Sequence, residues 1–132
     1  MQLKSKTGLI NQPIDKVFEY LSDLNNYREL LPADKISDWD SDTESCSFKI
    51  KGAASIGFQR KSTEPFNRIN LISGDKSPID FDLSIILNEQ DGSTKGHMEF
   101  ESNVNPFLRM MIEKPLKNLF EYMVDEMEKK FS

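Results

Sequence analysis

The last segment of the chain, residues 105–132, constrains the fold more than any other segment. Its apolar residues recur at helical spacing and form one wide stripe: Leu116, Leu119, Phe120, Met123, Met127 and Phe131. Charged and polar residues fill the other side, so the pattern predicts one long amphipathic helix from about residue 106 to residue 130. Pro115 lacks a backbone donor, and we therefore expect this helix to be kinked or briefly broken just before it.

The region before this helix alternates apolar and polar residues, as antiparallel strands with one buried face do. The predicted strands are residues 35–39, 44–51, 53–64, 68–73, 79–87 and 93–104. Asp91-Gly92 lies between the last two and predicts a hairpin turn. One further strand, residues 2–10, comes first and has Leu3, Ser5, Thr7 and Leu9 on one face. Two short helices follow it, one beginning near Pro13 and one at about residues 24–31.

This order of elements predicts an α+β fold in a single domain, residues 1–132. We expect a curved antiparallel sheet of about seven strands wrapped around the long C-terminal helix. Such an arrangement often encloses a pocket between the sheet and the helix.

The charge and cysteine content exclude several classes of partner. The formal net charge of −5 argues against nucleic-acid binding and disfavours adsorption to an anionic membrane. No apolar run approaches the roughly 20 residues of a membrane-spanning helix, so we expect no stable membrane insertion. The only cysteine, Cys46, cannot form an internal disulfide and is typical of a reducing compartment. We therefore expect a cytoplasmic protein, either a monomer or a homodimer.

The predicted inward faces of the strands and of the last helix are almost entirely apolar, as ligand cavities mostly are. They predict a site for a small apolar or amphipathic molecule of unknown identity. The expected ligand-binding residues are Phe48, Ile50, Ile56, Phe58, Arg60, Leu71, Phe81, Leu83, Ile85, Met98, Phe100, Met111, Leu119, Phe120 and Met123.

Arg60 is the most informative charged residue, because it continues the inward phase of Ile56 and Phe58. An inward arginine could anchor a ligand carboxylate. Two alternatives remain: a bulge turns Arg60 outward, or it pairs with a nearby acid such as Glu64.

No catalytic residue, metal site or cofactor is predicted. The chain has none of the common nucleophile, phosphate-loop, dinucleotide or zinc motifs. Cys46 is in phase with Phe48 and is expected to pack as a small hydrophobic residue. His97, Asp80 and Asp82 are expected to point outward and to be dispensable for any activity.

Residues 13–23, Pro-Ile-Asp-Lys-Val-Phe-Glu-Tyr-Leu-Ser-Asp, precede Tyr27 and Leu31-Pro32. This stretch resembles the opening of START-like (SRPBCC) domains, which include birch-pollen-allergen-like proteins, polyketide cyclases and START lipid carriers. The closing Asn105-Pro106 helix and the strand count also match. The resemblance implies a helix-grip fold with an apolar cavity, whose mouth lies under the first part of the last helix. Met110, Met111 and Lys114 would then border the entrance.

Functions in this superfamily range over lipid and hormone binding, cyclisation, dehydration, chaperone regulation and quinone handling. Our leading hypothesis is non-enzymatic binding or transport of a small apolar ligand. One alternative is a cyclase- or hydrolase-like enzyme that uses cavity polar groups such as Arg60, Ser62, Ser5, Thr7 or Ser102. The other is a protein-interaction module with a filled, vestigial cavity and an exposed apolar patch.

Overall fold

A computed structural model describes residues 1–75 and 77–131, and its main feature is an antiparallel sheet of eight strands. Lys76, in a predicted loop, and Ser132 lie outside the described residues. The elements are β1 (Gln2–Lys4), β2 (Gly8–Ile10), α1 (Ile14–Ser22), a 3-10 helix (Leu24–Leu30), β3 (Ile36–Ser41), β4 (Ser45–Ile50), β5 (Ser55–Glu64), β6 (Arg68–Ser73), β7 (Phe81–Gln90), β8 (Ser93–Ser102) and α2 (Pro106–Lys130). The predicted α+β fold, a curved antiparallel sheet with a long C-terminal helix, is confirmed.

The sheet order is β1, β8, β7, β6, β5, β4 and β3, and β2 also pairs with β8. α1 packs on β6, β7 and β8, whereas α2 contacts β1, β2, β8 and the 3-10 helix. The apolar core lies between the sheet and these helices, and its largest fully buried side chains include Tyr27, Phe48, Phe58 and Phe120. Among the described residues, no helix is long and apolar enough to cross a membrane.

The first predicted strand is divided into β1 and β2, which raises the strand number from about seven to eight. Leu3 pairs with Phe100, but Gly8 pairs with Gly96, so the register shifts by one residue between them. A shift of one residue exchanges the two faces of a strand. Ser5 therefore stays buried, whereas Thr7 and Leu9 are exposed, and the prediction that these two face inward is wrong.

A second register shift, in β5, changes the orientation of Ser62. Arg60 pairs with Leu71 and Ser62 with Asn70, so the bulge lies between Arg60 and Ser62. Ser62 is exposed and its Oγ accepts a hydrogen bond from the Asn70 side chain. The prediction that Ser62 faces the interior is therefore wrong, because the strand does not stay regular past Arg60.

α2 covers the free edge of β1 and β2. The amide nitrogens of Lys6 and Leu9 donate to the carboxylates of Glu121 and Glu128, at 2.9 and 3.3 Å. These contacts satisfy edge groups that would otherwise be open to pairing with another chain. The helix approaches so closely that a Cβ at Gly8 would lie 2.7 Å from Cγ1 of Val124.

α2 begins with a side-chain cap and continues through Pro115 without a break. The side chain of Asn105 accepts a hydrogen bond from the Leu108 amide at 2.9 Å and so caps the amino terminus of the helix. The predicted brief break before Pro115 is wrong, since the helix is continuous from Pro106 to Lys130. Pro115 is exposed, so its ring projects away from the core, and the helix loses one backbone hydrogen bond there.

Candidate functional site

A continuous row of aromatic rings crosses the inner side of the sheet and ends at α2. Consecutive rings in the row have centroids 5.1–5.9 Å apart, a normal spacing for aromatic pairs. Its members are Trp39, Phe48, Phe58, Phe81, Phe100 and Phe120. The row therefore forms an apolar wall from the β3 edge of the sheet to the C-terminal helix.

The structure brings most of the predicted ligand-binding residues together around this row. The following are all buried, at 0–9 % exposure: Phe48, Ile56, Phe58, Leu71, Phe81, Leu83, Ile85, Met98, Phe100, Leu119, Phe120 and Met123. Ile50 is partly buried and packs against the same core. These side chains are buried between the sheet and the helices, and their role in binding stays a prediction.

Met111 is the exception among the apolar residues. The sequence analysis placed it on the inward face of the last helix, but it is 60 % exposed, whereas Leu108 and Ile112 are partly buried. Adjacent helical residues point about 100° apart, which turns Met111 away from Ile112 and from the core. The prediction that it belongs to the inward stripe is therefore corrected.

Arg60 donates to protein acceptors on the helix side of the sheet. Its Nη1 lies 2.5 Å from the carbonyl oxygen of Ser22, and its Nη2 lies 3.5 Å from a carboxylate oxygen of Glu44. A cation at the last turn of a helix compensates the unpaired carbonyls there. Arg60 thus fastens the end of α1 to β5, and its acidic partner is Glu44 rather than Glu64, which lies 4.0 Å from Arg68.

The polar side chains inside the molecule bond to backbone groups rather than to one another. Ser102 donates to the carbonyl of Asp80 at 2.6 Å, and Thr94 donates to that of Gln12 at 2.9 Å. Ser5 accepts from the amide of Met98 at 2.8 Å. No buried side-chain nitrogen or oxygen among the described residues lacks a partner. The groups considered for an enzyme therefore do not form one cluster aimed at a common point.

Two buried titratable groups, Tyr27 and Cys46, lie on the 3-10 helix and β4. The Tyr27 hydroxyl donates to the carbonyl of Leu21 at 2.7 Å, and burial raises its pKa well above the usual value. Burial also raises the pKa of the Cys46 thiol to about 12. Cys46 is therefore protonated at neutral pH and lacks the thiolate that a nucleophile needs.

His97 lies on the outer face of the sheet, where it pairs in register with Ile86. Its Nε2 is 2.7 Å from the Glu99 carboxylate, and the side chain is only 14 % exposed. The expected outward direction is thus correct, but the ring is largely shielded rather than fully in solvent. Asp80 and Asp82 are exposed.

The first two turns of α2 present an apolar surface to solvent, and it includes Met110 and Met111, which the family resemblance placed at a cavity entrance. Phe107, Met110 and Met111 are 71, 84 and 60 % exposed. Their spacing of three and four residues was a signal for one helix face, but the sequence did not show that this face lacks a partner. Lys114 continues the same face one turn later and is also exposed. We call these four residues the outer face of α2.

Among the described residues, no group of three or more His, Cys, Asp or Glu side chains could hold a metal ion. The candidate site therefore consists of a buried apolar interior, the helix α2 that packs over it and the exposed outer face of that helix.

No protein-family model matches the chain, and no curated protein matches it significantly. Solved structures are similar over nearly its whole length. A Mycobacterium smegmatis protein, Ms6760, is 11 % identical with a TM-score of 0.76, over 99 % of this chain and 90 % of that one. The protein XoxI from Bacillus cereus is 8 % identical with a TM-score of 0.76, over 98 % and 94 %. A conserved protein from Geobacillus kaustophilus is 11 % identical with a TM-score of 0.71, over 99 % and 95 %. These similarities show the fold alone.

Proposed function

We propose that this protein binds a small apolar or amphipathic molecule between the inner face of the sheet and α2. The observation that carries the proposal is the continuous aromatic row from Trp39 to Phe120. Among the described residues, no buried polar side chain lacks a hydrogen-bond partner. Ligand pockets are lined mainly by apolar and aromatic side chains, and a surface of this kind favours apolar molecules over polar ones.

The amino-terminal half of α2, residues 106–117, is the cover that has to move for a ligand to enter. Only Leu116 in this half is buried, while Leu108 and Ile112 are partly buried. Lifting this half exposes less apolar surface than lifting the other half, so it is the least costly route to the interior. Pro115 lies at the boundary, where one backbone hydrogen bond is already missing.

An enzymatic role has less support. Thr7 and Ser62 are exposed, and Ser5 and Ser102 bond to the backbone at separate places. General acid–base catalysis needs a titratable group within hydrogen-bond reach of the substrate. Arg60 is the one charged candidate inside the predicted site, and it contacts Ser22 and Glu44.

The test uses a neutral apolar probe, N-phenyl-1-naphthylamine, in lipid-free solution. We expect saturable fluorescence enhancement at one probe per protein. Ile112→Ala loosens the cover and should speed probe uptake in stopped-flow traces. Met111→Ala is the matched control. The Met111 side chain is adjacent to Ile112 but 60 % exposed, so its truncation should leave the rate of probe uptake unchanged. Absence of saturable binding up to the solubility limit of the probe would contradict the proposal.

Native mass spectrometry of freshly purified protein provides a second, independent measurement. A co-purified apolar molecule should appear as an added mass that disappears on denaturation. Its fragmentation would identify the ligand class, which the apolar lining does not specify.

A further inference from the structure

The outer face of α2 concentrates exposed apolar surface in one place. Three of the six large apolar side chains that are exposed among the described residues are Phe107, Met110 and Met111. At about 100° per residue, Phe107 lies between the other two, so all three project from one side of the helix. Contiguous exposed apolar side chains mark an interaction surface, whereas scattered ones do not.

Beside this surface, one shallow depression is lined by more basic than acidic residues. Lys4 of β1 and Arg109, Lys114 and Lys117 of α2 line one shallow depression beside Met110, with Glu113 as its only acidic residue. Glu113 lies 2.9 Å from Arg109 and Glu121 lies 3.3 Å from Lys117, so Lys4 and Lys114 supply the excess positive charge in the depression. The whole chain carries −5, so this local sign is opposite to that of the molecule.

We propose that the outer face of α2 docks on an anionic lipid bilayer, with Phe107, Met110 and Met111 at the acyl boundary and the surrounding cations at the headgroups. A surface that combines apolar side chains with Lys and Arg is complementary to such a bilayer. A second copy of this chain is disfavoured as the occupant, since a symmetric contact would bring the same positive patches together. The inference concerns the outside of α2 and does not depend on a ligand inside.

The experiment is flotation of the full chain with two kinds of vesicle, phosphatidylcholine alone and phosphatidylcholine with about one lipid in four replaced by phosphatidylglycerol. An ionic strength of about 0.15 M screens the distant acidic surface while leaving contacts within about 8 Å effective. We expect binding to the anionic vesicles only, and its loss at about 1 M salt.

Paired variants separate the outer face of α2 from general effects of charge and hydrophobicity. Lys114→Glu should lower partitioning about tenfold or more, and Met110→Ser should also lower it severalfold. Lys95→Glu makes the same charge change and Leu9→Ser removes an apolar side chain that is 51 % exposed; both controls should bind as the wild type does. All four positions are exposed, and unchanged circular dichroism and urea midpoints would verify folding.

Three results would overturn the proposal: no binding to anionic vesicles, equal binding to neutral ones, or equal losses in the variants and their controls. Sedimentation velocity provides a further check. A dimer that dissociates on Met110→Ser would assign the face to a second copy instead. Met110→Ser changes the outer face of α2 and should leave saturable probe binding in lipid-free solution unchanged, so failure of one proposal is distinguishable from failure of the other.

Discussion

In the carboxy-terminal half of α2, residues 118–130, the helix is held on two sides. Leu119, Phe120, Met123, Val124 and Met127 are buried there. The carboxylates of Glu121 and Glu128 accept hydrogen bonds from the edge of the sheet. In the amino-terminal half, residues 106–117, one residue is buried and three large apolar side chains are in solvent. The halves also differ in charge: the first carries more basic than acidic residues, and the second the reverse.

The end of the chain strengthens this difference. The ring of Phe131 meets Tyr20 edge-on at a centroid distance of 5.2 Å, and Lys130 lies 2.6 Å from the Glu29 carboxylate. The Tyr20 hydroxyl donates to the same carboxylate at 2.5 Å. The carboxy-terminal half is thus held to α1 and the 3-10 helix. The other half has a side-chain hydrogen bond to the sheet, from Lys117 to the carbonyl oxygen of Lys4. A single helix therefore combines a fixed half, residues 118–130, with a half, residues 106–117, that has fewer buried side chains.

The largest expected effect is the loss of a core ring from the fixed half. Phe120 is fully buried and its ring lies 5.5 Å from that of Phe100, so Phe120→Ala should destabilise the fold by about 3–5 kcal/mol. Met110→Ala, at 84 % exposure, should change stability by less than about 0.5 kcal/mol. Urea unfolding measures both. Equal shifts of the two midpoints would refute the division of α2.

Much of this division could not be derived from the sequence, although most of the fold could. Alternation predicted β4 to β8, and helical spacing predicted α2, because each depends on which residues face the core. Whether an apolar helical face has a partner depends on where the sheet ends, and that is not a local property. Met111 was therefore assigned to the inward stripe, while its exposure follows from the tertiary arrangement.

The apolar and the polar residues of the candidate site also differ in how well the sequence predicts them. The buried apolar set around Phe58 and Phe100 follows from strand phase, and its ligand role stays a prediction. The orientation of the polar side chains depends on single-residue register shifts, and these shifts leave Thr7 and Ser62 exposed. The partner of Arg60 lies 38 residues away in the chain, at Ser22. Sequence alternation carries no information about such bulges and long-range hydrogen bonds.

The next effect concerns the close contact between β2 and the fixed half. In Gly8→Ala the new Cβ would lie 2.7 Å from Val124 and 3.2 Å from Glu128, so we expect a loss of about 1–3 kcal/mol from overpacking. Val124→Ala in the same chain should recover part of that loss. Gly96→Ala is the matched control, because its nearest neighbours, at 3.2 and 3.3 Å, are the flexible ends of Leu87 and Ile10. Denaturant midpoints that rank the control as the worse variant would contradict this contact.

A smaller difference is expected in the local stability of the helix itself. Amides at residues 111–117 should exchange with solvent at least about tenfold faster than those at residues 119–127, because fewer buried contacts close them. Hydrogen exchange read by mass spectrometry or NMR measures this, and an apolar ligand in the interior should slow the faster group. Uniform protection along residues 108–127, unaffected by a bound ligand, would exclude movement of the amino-terminal half alone.

The smallest expected effect is the pH dependence of the ion pair between Lys130 and Glu29 at the end of α2. Lys130 and the Tyr20 hydroxyl hold the pKa of Glu29 below its usual value. A lowered folded-state pKa means that the stabilisation is present above the unfolded-state value and is lost as the pH falls through the folded-state value. Glu29→Gln should therefore cost about 0.2–1 kcal/mol near pH 7, as exposed ion pairs do, and the two proteins should converge below about pH 4.

Glu113→Gln is the matched control for that measurement, because Glu113 forms its ion pair with Arg109 inside the amino-terminal half. Of the two variants, Glu29→Gln alone should increase exchange of the amides at residues 126–130, since the Glu29 carboxylate, unlike that of Glu113, pairs with Lys130 in the last turn. Melting curves of both variants at several pH values complete the comparison. A stability difference for Glu29→Gln that stays constant down to pH values well below about 4 would show that the charge of Glu29 does not help to hold the end of α2, leaving Phe131 and Tyr20 to do so.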